Sequence, residues 1–165
     1  MTVNPRRVVG VNKHKPHMTF SVRNLNGHTG PGSTEPQAAA REVSILYAEE
    51  SPAVADAVKE TLEAEGWRVE VCARGDEALR RLQGGARFDV LVFDFRLPGL
   101  DGVELARRAR RLPRTGQTPI VMFTACEVER DARRAGVDAF LRKPRGVFRL
   151  AETIARLLAR ETVQV

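Results

Sequence analysis

The chain is 165 residues long, 42% hydrophobic and 29% charged, the balance of an ordinary globular domain. No apolar run approaches the roughly 18 residues a membrane span requires, and the basic N-terminus lacks the apolar core of a secretory signal. The formal charge of +6 hints at nucleic acid, but six basic and two acidic residues precede Val43, leaving only +2 for the rest.

Residues 1–42 show no sustained period, and "NGHTGPGSTEP" (26–36) clusters turn and linker residues, so a disordered basic arm is expected. "HKPH" (14–17) holds two of the three histidines but has no Cys or acidic neighbour to suggest a metal site. From Val43 strand and helix patterns alternate. "VSILYA" (43–48) reads as an apolar strand. "SPAVADAVKETLEAEG" (51–66) is a helix with Ser51 as cap, Pro52 in its first turn, Val54, Val58 and Leu62 on one face, and Gly66 as its stop. "WRVEVCA" (67–73) alternates as a half-buried strand, and "DEALRRLQGG" (76–85) is a short helix ended by glycines.

"FDVLVF" (88–93) is apolar on both faces, the habit of a parallel sheet. Asp101 and Glu104 form a capping-box pattern for "GVELARRARRL" (102–112), which Pro113 stops. The four arginines Arg107, Arg108, Arg110 and Arg111 read as a solvated face rather than a phosphate patch. "PIVMFT" (119–124) is a strand, "EVERDARRAG" (127–136) a brief helix and "VDAFLR" (137–142) a strand. Leu150, Ile154, Leu157 and Leu158 stripe a last helix ending near residue 160. Five strands alternating with five helices through short loops predict an α/β fold with a doubly wound parallel sheet.

Polar residues stand at the carboxyl ends of four of these strands: Glu49 and Glu50 after the first, Asp94 after the third, Thr124 on the fourth, and Lys143 after the fifth. In an open parallel sheet those ends share the edge where ligands bind. Three carboxylates together repel unless a cation compensates, and all-oxygen ligands favour a hard ion such as Mg²⁺. With the ion present, Asp94 becomes a candidate nucleophile toward a phosphoryl group, with Lys143 and Thr124 stabilising its oxygens.

Residues 43 to about 160 resemble the receiver domain of bacterial two-component response regulators, on "ILYAEESP", "DVLVFDFRLPGLDG", "PIVMFTA" and "AFLRKP" in that order. The resemblance implies a flavodoxin-like (βα)5 fold with strand order 2-1-3-4-5. It implies Asp94 as phosphoacceptor, Mg²⁺ (or Mn²⁺) held by Glu49, Glu50, Asp94 and the carbonyl of Arg96, with Glu50 ahead of Glu49 as the direct ligand, and Lys143, in the family's Lys-Pro pair, on the phosphoryl group. Thr124 and Phe140 become the switch pair, Ala125 the small residue that admits phosphate, and Arg96 and Cys126 the positions that tune phosphoryl lifetime. Pro98 and Gly99 shape the loop that exposes Asp94. Cys72 reads as core, and both cysteines are expected as reduced thiols.

The implied function is phosphorelay signalling in the cytoplasm. A sensor histidine kinase or phosphotransfer protein is the donor, and a downstream protein the target. A homodimer is admitted through the face made by the fourth helix, fifth strand and last helix. Nucleic acid is not expected as a partner, and no output domain is expected in residues 161–165. The protein is then a phosphoacceptor switch, promoting its own phosphorylation and slow dephosphorylation, rather than an enzyme. The alternative is a degenerate receiver that binds proteins without phosphorylation. Its argument is the Glu49-Glu50 pair, since the family usually places at least one Asp there and the added methylene displaces a carboxylate by about a bond length. An aspartyl-nucleophile phosphatase would want an acid at position 96, where Arg stands. Dinucleotide-binding and P-loop motifs are missing.

Overall fold

The computed structural model describes residues 42–161, with side chains through Arg160. The expected arm up to Arg41, with His14 and His17, and the residues beyond Glu161 lie outside the described residues. The elements run β1 (Ser44–Ala48), α1 (Pro52–Glu63), β2 (Arg68–Cys72), α2 (Gly75–Gln83), β3 (Val90–Phe93), α3 (Gly102–Arg111), β4 (Ile120–Thr124), α4 (Glu129–Arg134), β5 (Ala139–Arg142) and α5 (Val147–Glu161). The strands form one parallel sheet in the order β2-β1-β3-β4-β5, as the resemblance implies.

Successive residues of a strand point to opposite faces of a sheet, and here both faces are covered. Ile45 and Tyr47 of β1, Val90 and Val92 of β3, and Val121 and Phe123 of β4 share one core with Ala55, Val58 and Leu62 of α1 and Leu150, Ile154 and Leu157 of α5. Leu46, Ala48, Leu91, Phe93, Ile120 and Met122 share the other with α2, α3 and α4 through Leu79, Leu82, Leu105, Ala106 and Ala132. The unbroken apolar runs of β1, β3 and β4 therefore follow from burial on two sides, each large side chain contributing about 1.5–3 kcal/mol. On β2, at the sheet edge, Val69 and Cys72 are buried while Val71 is half-buried, so the pattern there is less regular than the strict alternation expected.

Two caps differ in how they work. Asp101 accepts from the Glu104 amide at 2.9 Å, as the capping pattern predicts. Glu104 does not return the bond, because its carboxylate is held by Arg107 and Arg108 instead. Ser51 occupies the cap position of α1 with extended backbone, yet its hydroxyl makes no cap. Its amide is engaged by Glu49 Oε1 at 3.0 Å. Among the α3 arginines, Arg110 departs from the expected solvated face. It turns inward, donating to the carbonyls of Gly136 (2.8 Å) and Thr118 (2.6 Å) and pairing with Asp138, and so ties α3 to the loops that lead into β4 and β5.

The loop from Asp94 to Gly102 is packed without room for a side chain at its far end. The Gly102 amide donates to the Phe95 carbonyl at 2.9 Å, and a Cβ on Gly102 would lie 2.0 Å from the Asp94 carbonyl oxygen. That obstacle is backbone, which no rotamer change can clear. Gly102→Ala is therefore expected to lower unfolding free energy in urea by at least about 2 kcal/mol. The two thiols should also part company. Cys72 is 1% exposed and burial pushes its thiol up to about 11, whereas Cys126 is half-exposed. Alkylation of native protein at mildly alkaline pH, read by peptide mass, should label Cys126 and spare Cys72 until denaturant is added.

Candidate functional site

The sheet ladder itself brings the predicted residues together. Backbone hydrogen bonds continue one step past the strand ends: the Glu49 amide to the Cys72 carbonyl (3.0 Å), the Asp94 amide to the Ala48 carbonyl (2.9 Å), and the Lys143 amide to the Thr124 carbonyl (3.0 Å). With Ala48 in register with Phe93, and Thr124 with Arg142, the next residue of each strand is delivered to the same edge. Glu49, Asp94 and Thr124 are all buried there, at 2%, 8% and 0% exposure.

Lys143 joins the two acids. Its ammonium donates to Asp94 Oδ2 at 2.6 Å and to Glu49 Oε2. It also lies 5.2 Å from the centroid of the Phe123 ring, on whose face a desolvated cation is attracted. Asp94 Oδ1 accepts from the Phe95 amide at 2.5 Å, with the Arg96 amide farther off at 3.4 Å. Asp94 thus has one oxygen fixed by backbone and one by the ammonium. Pro98 and Gly99 follow in the loop, Gly99 at φ +79° where only glycine sits without strain.

Glu49 is held from three directions, by Lys143 and the Tyr47 hydroxyl (3.0 Å) on Oε2 and by the Ser51 amide (3.0 Å) on Oε1. Tyr47 escapes the sequence reading, although a lone tyrosine in a buried strand carries a signal: its hydroxyl must find a partner. Burial, and then the nearby charges of Glu49 and Asp94, hold its phenol far above the ordinary range, so it stays a donor. Glu50, by contrast, is exposed, and so is Arg96.

On the other side of Asp94, Thr124 Oγ1 accepts from the Cys126 amide at 3.2 Å, tucking the hydroxyl into its own loop. Arg142 holds that loop from outside, on Glu127 at 2.7 Å and on the Ala125 carbonyl at 3.3 Å. The Arg142 guanidinium keeps the Glu127 carboxyl below the usual range. Ala125 is exposed, Cys126 half-exposed, and Phe140 half-buried against the core that also contains Phe93 and Met122.

The edge carries three carboxylates and one ammonium, an excess of negative charge with oxygen donors only, which suits a hard divalent ion. Among the described residues no three Asp, Glu, His or Cys side chains already stand close enough together to hold a metal. Glu49, one of the four residues named for that role, lies on Lys143, and Asp94 Oδ2 lies on the same ammonium, leaving the exposed Glu50 and the Arg96 carbonyl as the donors outside that network. Removing the ammonium should be costly. In divalent-free buffer, Lys143→Met is expected to lose about 3–5 kcal/mol in urea unfolding, because two buried acids then face each other unpaired. Adding Asp94→Asn should return part of that loss.

Comparison with known proteins agrees with this geometry. The profile of the "Response regulator receiver domain" matches residues 45–155. The phosphate regulon transcriptional regulatory protein PhoB of Rhizobium meliloti is 40% identical over 118 residues, covering 70% of this chain and 50% of that protein. The gliding motility regulatory protein of Myxococcus xanthus is 31% identical over 153 residues, covering 90% of this chain and 19% of that protein. The chain thus spans half or less of the length of these curated relatives. Among solved structures, a CheY-like receiver domain protein from Methanospirillum hungatei superposes with TM-score 0.70 at 28% identity, over 76% of this chain and all of that one. The receiver domain of a sensor histidine kinase from Pseudomonas aeruginosa, with a magnesium ion coordinated in its active site cleft, gives TM-score 0.67 at 28% identity, over 72% of this chain and 99% of that one. A matching profile, a shared sheet order and an acid–lysine pair at the carboxyl edge all meet in residues 45–155: the chain belongs to the response regulator receiver domains.

Proposed function

We propose that the chain is a phosphoacceptor switch, in which Asp94 takes a phosphoryl group from the histidine of a sensor kinase or phosphotransfer protein. The observation that carries this is the Asp94 carboxylate, 8% exposed, paired with the Lys143 ammonium at 2.6 Å beside the buried Thr124. An Asp carboxylate oxygen forms the new bond to phosphorus as the phosphorus–nitrogen bond of the donor histidine breaks. The donor imidazole leaves with the electron pair. Phosphoryl transfer asks for positioning and charge stabilisation more than for covalent machinery.

Asp94 is positioned by the Phe95 amide, which fixes one carboxylate oxygen. Lys143 already lies on the other oxygen and stays beside the phosphoryl oxygens as they arrive. The Thr124 hydroxyl leaves the Cys126 amide and donates to a phosphoryl oxygen, and the half-buried Phe140 follows into the space vacated. Glu50, Asp94 and the Arg96 carbonyl would hold Mg²⁺ at this edge, and the ion would supply positive charge to offset the phosphoryl oxygens. A relative in fold carries that ion in its cleft, and the oxygen donors and excess negative charge of this edge suit it.

The altered surface then meets a downstream protein, or a second copy of the chain, through α4, β5 and α5. That face carries Arg145, Arg149 and Phe148, the last 91% exposed. No helix among the described residues is long and apolar enough to cross a membrane. Incubation with acetyl phosphate and Mg²⁺ should add one phosphoryl group to the intact mass, and none without Mg²⁺ or in Asp94→Asn. Thr124→Ala should still accept the group, since Asp94 and Lys143 remain, while losing the difference between the two forms in partner binding.

A further inference from the structure

The resemblance already sets Glu50 ahead of Glu49 as a metal ligand, and the fold gives the two acids different surroundings. Glu49 is 2% exposed and Glu50 is exposed. The side chain of Tyr47, two residues before Glu49, points to the same face of the strand, as strand geometry requires. Its ring is fully buried between β1 and the core shared with α1 and α5, and its hydroxyl emerges at the sheet edge on Glu49 Oε2. That same oxygen receives the Lys143 ammonium, and Oε1 receives the Ser51 amide. A carboxylate offers about four lone-pair sites; three of Glu49's are taken, both of those on Oε2 among them.

Three donors from three directions fix the side chain in one orientation, directed at Lys143. To bind an ion through Oε2, Glu49 would have to release the tyrosine or the lysine. Resting on the phosphoacceptor reading above, we propose that Tyr47 is a positioning residue that holds Glu49 as the anchor of Lys143 and withholds its Oε2 from Mg²⁺, for which Glu50 and Asp94 Oδ1 would be the carboxylate donors. The two glutamates then have separate duties: Glu49 aims the ammonium, and Glu50 attracts the ion. The extra methylene of glutamate gives Glu49 the reach to meet Lys143 while still bonded to the tyrosine.

The test is Tyr47→Phe, which keeps the ring in the core and deletes only the hydroxyl. Isothermal titration with Mg²⁺ should show the variant binding about threefold to tenfold more tightly than wild type, the range one hydrogen bond's net worth converts to. A tyrosine that served only packing would leave the Mg²⁺ constant where it was. An unchanged or weaker constant overturns the proposal. Should the variant fail to melt cooperatively, the wild-type protein decides by a second route. Tyr47 is the sole tyrosine of the chain, so 3-fluorotyrosine labelling gives one ¹⁹F resonance. Saturating Mg²⁺ should move it much less than Glu49→Gln does. A shift as large as that substitution causes overturns the proposal. Acetyl phosphate run alongside separates the two readings. Wild type that binds Mg²⁺ yet takes no phosphoryl group overturns the phosphoacceptor reading, and the Mg²⁺ constants still decide the role of Tyr47. Wild type that binds no Mg²⁺ overturns both.

Discussion

Two acids almost closed off from water, Glu49 and Asp94, share one ammonium at the carboxyl edge of the sheet. A buried carboxylate is costly unless paired and hydrogen-bonded, so the arrangement stands only because Lys143 is delivered between them. That delivery is a matter of strand register. β1, β3, β4 and β5 run parallel, and the ladder bonds of Glu49, Asp94 and Lys143 place the residue after each strand at the same height. A shift of one residue in any of them would turn its acid or its ammonium to the other face of the sheet. The apolar runs that hold the register, unbroken along β3 and along β4 up to Thr124, are therefore as much a part of the site as the charges.

Electrostatics and packing divide the labour around this core. The helices cover the sheet through aliphatic contacts, while Arg107, Arg108 and Arg133 make local pairs and Arg110 holds loop carbonyls.

The sheet was legible because each central strand is a short apolar run with a polar residue at its carboxyl end, a pattern that survives reading in one dimension. Asp94, Thr124 and Lys143 were legible for the same reason: position along a strand translates directly into position at the edge. The parts that could not be read depend on what a side chain meets after folding. Ser51 looks like a helix cap, but its amide is drawn to Glu49 and its hydroxyl is left out. Arg110 looks like three neighbouring arginines, yet its place on the helix turns it toward Gly136 and Thr118. The resemblance sets Glu50 ahead of Glu49 as a metal ligand, but that one is exposed and the other buried follows only from the alternation of the strand continuing past Ala48. Tyr47 was visible as an apolar residue but not as a donor, because the identity of its acceptor depends on two residues at the sheet edge.

The pairing of Arg142 with Lys143 has a mechanical side. Neighbours at the end of a strand project to opposite sides, so these two consecutive cations reach different clients: Lys143 the acids inside, Arg142 the loop of Ala125 and Glu127 outside. One peptide unit is therefore shared by two grips, like the crossbar of a lever. The end of β5 thus joins the buried charges at Asp94 and Glu49 to the outer loop of Ala125 and Glu127 through a single peptide unit.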